Sequence, residues 1–219
     1  MIDFIPIIIA YLLGSIPFGI IVTRVAGKGD IRKQGSGNIG ATNVARVCGF
    51  KTALWVYVGD MGKAACAVLI AKWFAGSYEL TLMYPDLLFV LTAAAAVLGN
   101  VFSVYLKFKG GKGVNAAMGS VVTLMPYEAI LAFMIFLILA LLTRYISIGS
   151  IIGVSSFFVI LAIEKYFLHQ TINMVYIYLG LILSILVFVT HRKNIVRLFS
   201  GTESKISFSS KKKEANSHV

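Results

Sequence analysis

The chain has 219 residues, 58% of them hydrophobic and only 13% charged, and its 20 Lys and Arg outweigh 9 Asp and Glu to give a formal charge of +11. With a mean hydropathy of +0.87, it carries more apolar surface than a water-soluble domain could hide, and hydrophobic runs near 20 residues recur along its length. About 20 helical residues cross a bilayer core, so the composition predicts an all-α, polytopic helical membrane protein.

The first run, MIDFIPIIIAYLLGSIPFGIIVTRV, lacks the basic stretch and small-residue cleavage site of a signal peptide and is read as a first transmembrane helix. Pro6 and Pro17 are expected to bend it. A polar linker, KGDIRKQ, leads to GSGNIGATN, where Gly35, Gly37 and Gly40 match the G-x-G-x-x-G pattern and Asp60 lies about 20 residues on. A dinucleotide-binding turn needs a buried strand before these glycines, whereas here they stand between two membrane spans.

Further spans are expected at 52–75, 87–105, 128–142, 149–163 and 172–190, with a short apolar run at 114–125 set off by Pro126. That short run is either a tilted helix of its own or the start of one long kinked helix. Charge placement favours the first reading. With the loop after the first helix inside, every Lys and Arg except Lys63, Lys72 and Lys165 falls on an inside segment. Seven spans fit this asymmetry, with the N-terminus outside and the C-terminus cytoplasmic; six would put Arg144 outside and the basic tail on the wrong face. Residues 1–206 are expected to form a single integral membrane domain, and 207–219 a disordered polar tail. Cys48 and Cys66 make no disulfide framework. No repeat or metal-ligand cluster is visible, and neither a cofactor nor a nucleic-acid partner is expected.

The inside loops carry the chemistry. Closely spaced Gly35, Gly37 and Gly40 let backbone N–H groups converge on an anion. Ser36, Asn38, Thr42 and Asn43 add side-chain donors and Arg46 a fixed cation. The second loop, YLKFKGGKGVNAA, lacks the Ser or Thr that a Walker loop would need in place of Gly113. Its Gly110, Gly111 and Gly113 still allow close backbone approach, Lys112 supplies a point charge, and a helix N-terminus follows. In the third segment, HRKNIVRLFSGTESK, His191 and Asn194 share a face if the helix continues. The turn TRYISIGS offers Arg144 and Ser147. Within the second span, GDMGK sets Asp60 and Lys63 one turn apart. Either they pair, or Lys63 points to the inner-face anion site with Asp60 orienting it; Lys63 is carried as a substrate-binding candidate.

GSIPFG, GSGNIGATNVAR, KFKGGKGV, TRYISIGS and HRKNIVRLFSGTESK, in this order, resemble the bacterial acyl-phosphate-dependent glycerol-3-phosphate acyltransferases, over about residues 12–206. The resemblance implies a seven-helix membrane enzyme that moves a fatty acyl group from acyl phosphate to the 1-hydroxyl of sn-glycerol 3-phosphate. The products would be lysophosphatidic acid and phosphate, and the active site would face the cytoplasm. It marks Ser36, Asn38, Arg46, His191 and Asn194 as needed for activity, assigns the KGGKG glycines to glycerol 3-phosphate, and gives Glu203 a structural role. A partner enzyme supplying acyl phosphate from acyl carrier protein is implied. Members commonly carry His and Pro where this chain has Asn100 and Ser103.

Both substrates would be phosphates and the donor already activated, so the tasks are to hold two anions and stabilise a tetrahedral intermediate. Ser36, Asn38, Thr42 and Asn43 are expected on the acyl phosphate, and Lys112, Arg46 and Ser147 on the glycerol phosphate, the two assignments being interchangeable. The general base is either His191 or a substrate phosphate oxygen. The H-x-x-x-x-D pair of other glycerolipid acyltransferases is absent, with Val196 and Met174 in the fifth position after His191 and His169. The rival class is a secondary transporter of an organic phosphate, which would show repeated halves and a midplane site.

Overall fold

The computed structural model describes residues 2–206, so the expected tail at 207–219 lies outside the described residues. Those residues form α-helices joined by short loops, with no strand among them.

The first expected span is broken. Helices α1 (Ile5–Ser15) and α2 (Phe18–Val25) meet at Ile16 and Pro17 with a 40° bend, because Pro17 has no N–H to continue the ladder. The break frees carbonyls inside an apolar bundle, where each needs a donor. Ser103 Oγ donates to Ser15 O (2.6 Å) and Lys63 Nζ to Ile16 O (2.7 Å).

Short α3 (Ala41–Cys48) ends at Gly49, whose φ of 87° suits glycine. Then come α4 (Phe50–Ser77), α5 (Pro85–Val101), α6 (Val114–Leu124), α7 (Pro126–Thr143), α8 (Ile146–Tyr166), α9 (Met174–Thr190) and α10 (Arg192–Phe199). Among the described residues, four helices are long and apolar enough to cross a membrane, rising to six if α1–α2 and α9–α10 each count as one bent span; α6 is a shorter apolar helix. At 11 residues, α6 is about 16 Å long, half the usual hydrocarbon thickness. It is nevertheless separate from α7: Pro126 starts α7, and the two run antiparallel, since Lys112 at the start of α6 and Ser147 just past α7 belong to one hydrogen-bonded cluster.

Small residues let the helices close on one another, as is common where lipid removes the hydrophobic drive. A Cβ on Gly14 of α1 would lie 2.1 Å from Ala96 O of α5, and one on Gly99 2.3 Å from Tyr11 O. Gly119 brings α6 equally close to Met61 of α4. On α8, Gly149 and Gly153 form a small-x-x-x-small groove that receives Phe136 of α7. At the opposite end from Lys112, buried Asp3 accepts hydrogen bonds from the amides of Thr81, Leu82 and Met83 and ties the chain start to the α4–α5 loop.

Candidate active site

The segment after α10 turns back through Gly201 (φ 69°), and Arg197 O accepts the amides of Thr202 and Glu203. This sets the Glu203 side chain, 7% exposed, against the helix ends. Its Oε1 accepts from Ser147 Oγ (3.0 Å) and Asn194 Nδ2 (2.7 Å), and its Oε2 from Arg197 Nε (2.7 Å). The Asn194 Oδ1 in turn accepts from Lys112 Nζ. Two further contacts hold the strap in place: Arg46 Nη2 donates to Ser204 O (2.9 Å) and Ile206 N to Arg144 O (2.8 Å). Burial alone would raise the Glu203 carboxyl, yet the bonds from Asn194, Arg197 and Ser147 hold it below its ordinary value.

Lys112 thus belongs to a polar cluster gathered from α3, α8, α10 and the strap. Burial pushes its ammonium down to about 8, with Arg197 and Arg46 acting the same way and Glu203 opposing. The free protein therefore holds Lys112 charged below pH 8 and loses that charge as pH rises through it. If the cation captures a phosphate, kcat/KM for that substrate falls above pH 8, and Lys112→Arg moves this limb out of the accessible range. A rate profile between pH 6 and 10 checks this.

His191 sits at the α9–α10 junction, where the axis bends by 59°, so the helix does not continue straight as the sequence suggests. The ring is 2% exposed, and its Nδ1 lies 2.9 Å from Val187 O. A carbonyl only accepts, so Nδ1 carries the proton and Nε2 keeps its lone pair. Burial, then the Lys112 charge, pushes the imidazole down to about 4. His191 is neutral at neutral pH and a weak base.

The glycine loops differ from the expectation that their amides cradle an anion. In the first loop, Ser36 N donates to Asn43 Oδ1, Gly37 N to Gln34 O and Gly40 N to Asn38 Oδ1. Buried Asn43 also donates to Gln34 O and Asn38 O, so it organises the loop and has no donor left for a ligand. Gly35 (φ 58°) leaves room for that amide, as a Cβ there would lie 2.3 Å from Asn43 Oδ1. Among the described residues, Ser36 Oγ, Asn38 Nδ2 and Thr42 Oγ1 have no hydrogen-bond partner. The amides of Ala41 and Thr42, which open α3, are also without intrahelical acceptors. In the second loop, Gly110 N and Gly111 N donate to Val101 O and Asn100 O and so cap α5. A Cβ on Gly110 would lie 2.1 Å from Asn100 O, so this glycine serves packing rather than an anion. Gly113 (φ 80°) is the N-cap of α6.

The structure therefore brings Arg46, Lys112, Ser147, His191 and Asn194 to one end of the bundle. Lys63 is not with them. Its Nζ lies 2.7 Å from Asp60 Oδ1 and is buried in the α1–α2 break, which selects the pairing reading. Sequence reasoning missed that Glu203 is the hub and that Arg197 holds it. A lone carboxylate in a strongly basic inside segment was the available signal.

A profile of the family described as glycerol-3-phosphate acyltransferase matches residues 4–201. A glycerol-3-phosphate acyltransferase of Chlorobaculum tepidum is 38% identical, with 94% of this chain and 97% of that one covered. One from Syntrophotalea carbinolica is 41% identical over 92% and 96%. A crystal structure of PlsY (YgiH), an integral membrane glycerol 3-phosphate acyltransferase in its glycerol 3-phosphate form, superposes with a TM-score of 0.82 at 35% identity, covering 94% of this chain and 96% of the other. Its lysophosphatidic acid form gives 0.80 at 34%. The chain belongs to the glycerol-3-phosphate acyltransferase family.

For this member of the family, the two departures noted in the sequence now have surroundings. Asn100 Nδ2 donates to Asp60 Oδ1 (3.2 Å) while its backbone carbonyl caps Gly111, so it links the buried ion pair to the loop that carries Lys112. Ser103 satisfies the broken first span. The acyltransferase also has an apolar cleft of about 60 Å³, lined among others by Tyr57, Met118, Phe136, Val154 and Phe157. A smaller pocket bordered by Lys112 and Val187 shares Val114, Ala117, Val154 and Leu183 with it. An apolar channel thus adjoins the one ammonium held in the polar cluster.

Proposed function

We propose that this acyltransferase moves a fatty acyl group from acyl phosphate to the 1-hydroxyl of sn-glycerol 3-phosphate, giving lysophosphatidic acid and inorganic phosphate. The observation that carries this is the Lys112–Asn194–Glu203–Ser147 network beside the mouth of an apolar cleft. Such a site suits a substrate pair with anionic heads and one long hydrocarbon tail. The chain crosses the bacterial inner membrane seven times, with α6 as a short span, the N-terminus outside and the site at the cytoplasmic face. Residues 1–206 form the membrane domain. Acyl phosphate comes from an acyl-carrier-protein-dependent synthase.

In this reading Lys112, Arg46 and Asn194 hold the glycerol phosphate, with Glu203 fixing Asn194 and Ser147. Ser36, Asn38 and Thr42, with the first amides of α3, receive the acyl phosphate. The hydroxyl oxygen of glycerol 3-phosphate bonds to the acyl carbon, the acyl–phosphate C–O bond breaks, and phosphate leaves with the electron pair. The hydroxyl proton passes to a substrate phosphate oxygen. Glu203 already accepts three hydrogen bonds and burial pushes the His191 imidazole down to about 4, so neither is a ready acceptor for that proton. His191 and Asn194 then orient rather than abstract.

Detergent-purified protein should form lysophosphatidic acid and release phosphate from palmitoyl phosphate and glycerol 3-phosphate, and form none from palmitoyl-CoA. Uptake of glycerol 3-phosphate into sealed vesicles without product would favour the carrier class instead.

A further inference from the structure

We propose that Val121, Ala132 and Phe157 form the floor of the α6–α9 cleft and set which acyl-chain lengths this enzyme prefers. The proposal rests on the reading above, in which the cleft receives the acyl chain. Its geometry follows from the helix directions. Helices α6 and α8 begin, and α7 and α9 end, at the Lys112 end, so depth can be counted along each from that end. Val121 lies seven residues into α6, while Ala132 and Phe157 each lie 11 residues into α7 and α8. They are the deepest lining residues of their helices.

All three belong to the main buried core, with exposures of 5%, 6% and 2%. The cleft therefore does not run on through the bundle. It stops against packed side chains that cannot yield without opening a void. On the lipid side the wall is made by Phe133 and Phe136, stacked with ring centroids 5.6 Å apart. Phe136 is itself locked into the Gly149 and Gly153 groove.

From Val114 to Val121, α6 rises about 10 Å, which takes roughly eight methylenes at about 1.3 Å each, beyond those that span from the head at Lys112 to Val114. A chain that ends near the floor fills the cleft. A longer one must leave sideways past the Phe133–Phe136 wall into lipid, and a shorter one leaves the floor bare. Because lipid is as apolar as the cleft, only the fit at the floor discriminates, so a several-fold preference is expected rather than the larger ratios of closed pockets.

The test is competition among lauroyl, palmitoyl and stearoyl phosphate at equal concentration, with lysophosphatidic acids resolved by mass spectrometry. Ala132→Leu raises the floor and should shift the lauroyl-to-stearoyl product ratio up by about fivefold. Phe157→Leu lowers it and should shift the ratio down. The two variants enter from opposite walls with opposite signs, so a general loss of stability cannot imitate both. Active variants that keep the wild-type ratio overturn the floor and leave the acyltransferase reading intact. A wild-type protein that acylates none of the three donors overturns that reading instead.

Discussion

Replacing Lys112 by Met lowers kcat/KM for glycerol 3-phosphate by about 10²–10³, the effect of removing one buried partner of a charge-assisted contact. Lys112, bonded to Asn194, is the ammonium that borders the smaller pocket, while Arg46 donates to Ser204 O of the strap. The loss should appear mainly in KM for glycerol 3-phosphate and much less in KM for acyl phosphate, as the latter is read from Ser36 and Thr42. Lys112→Arg should fall between, since a planar fork cannot replace a point charge in the same hole. Initial rates with each substrate varied at saturation of the other separate these outcomes; equal losses for both substrates would dissolve the division of the site.

The second large effect concerns stability. Lys63 and Asp60 have side-chain exposures of 3% and 9% and meet inside the bundle. Removing one partner of such a pair costs about 3–5 kcal/mol, because the other is left buried and charged, whereas replacing both by apolar residues is often neutral. Lys63→Met should therefore destabilise strongly, also leaving Ile16 O with only the Phe18 amide as donor, and Asp60→Leu combined with Lys63→Met should recover much of the loss. Asn100 loses its acceptor in the double variant and keeps the recovery partial. Thermal unfolding of the four proteins in detergent closes a double-mutant cycle. Additive losses would mean that the pair is not coupled.

The longer helices were legible from hydropathy because each is a long apolar run bounded by Pro, Gly or charge, and α4, α7 and α8 fall close to the expected limits. Pro17 announced a bend but not a break, since the break depends on Lys63 of α4 and Ser103 of the loop after α5 to satisfy the freed carbonyls. The short helix α3 was hidden in a loop too polar to carry a membrane signal, whereas α10 continues the helix read after the last span but bends away from it by 59°. Among the site residues, Lys112, Asn194 and Arg46 stood out because fixed charge and amide groups beside a membrane helix have few other uses. The glycines misled. Spacing alone made their amides look available, while Gly37 and Gly40 donate within their own loop to Gln34 O and Asn38 Oδ1, and Gly110 and Gly111 donate to Val101 O and Asn100 O at the end of α5. Glu203 was underrated for the same reason: its partners Ser147 and Asn194 lie 56 and nine positions away, and no periodicity links them.

Asn194 bridges Lys112 and Glu203 at the centre of the site. The decisive measurement is the rate of lysophosphatidic acid formation by Asn194→Ala beside wild type, with the melting temperature of each. A loss of about 10² or more at an unchanged melting temperature is the predicted result. A variant that folds and turns over at the wild-type rate would place the chemistry elsewhere.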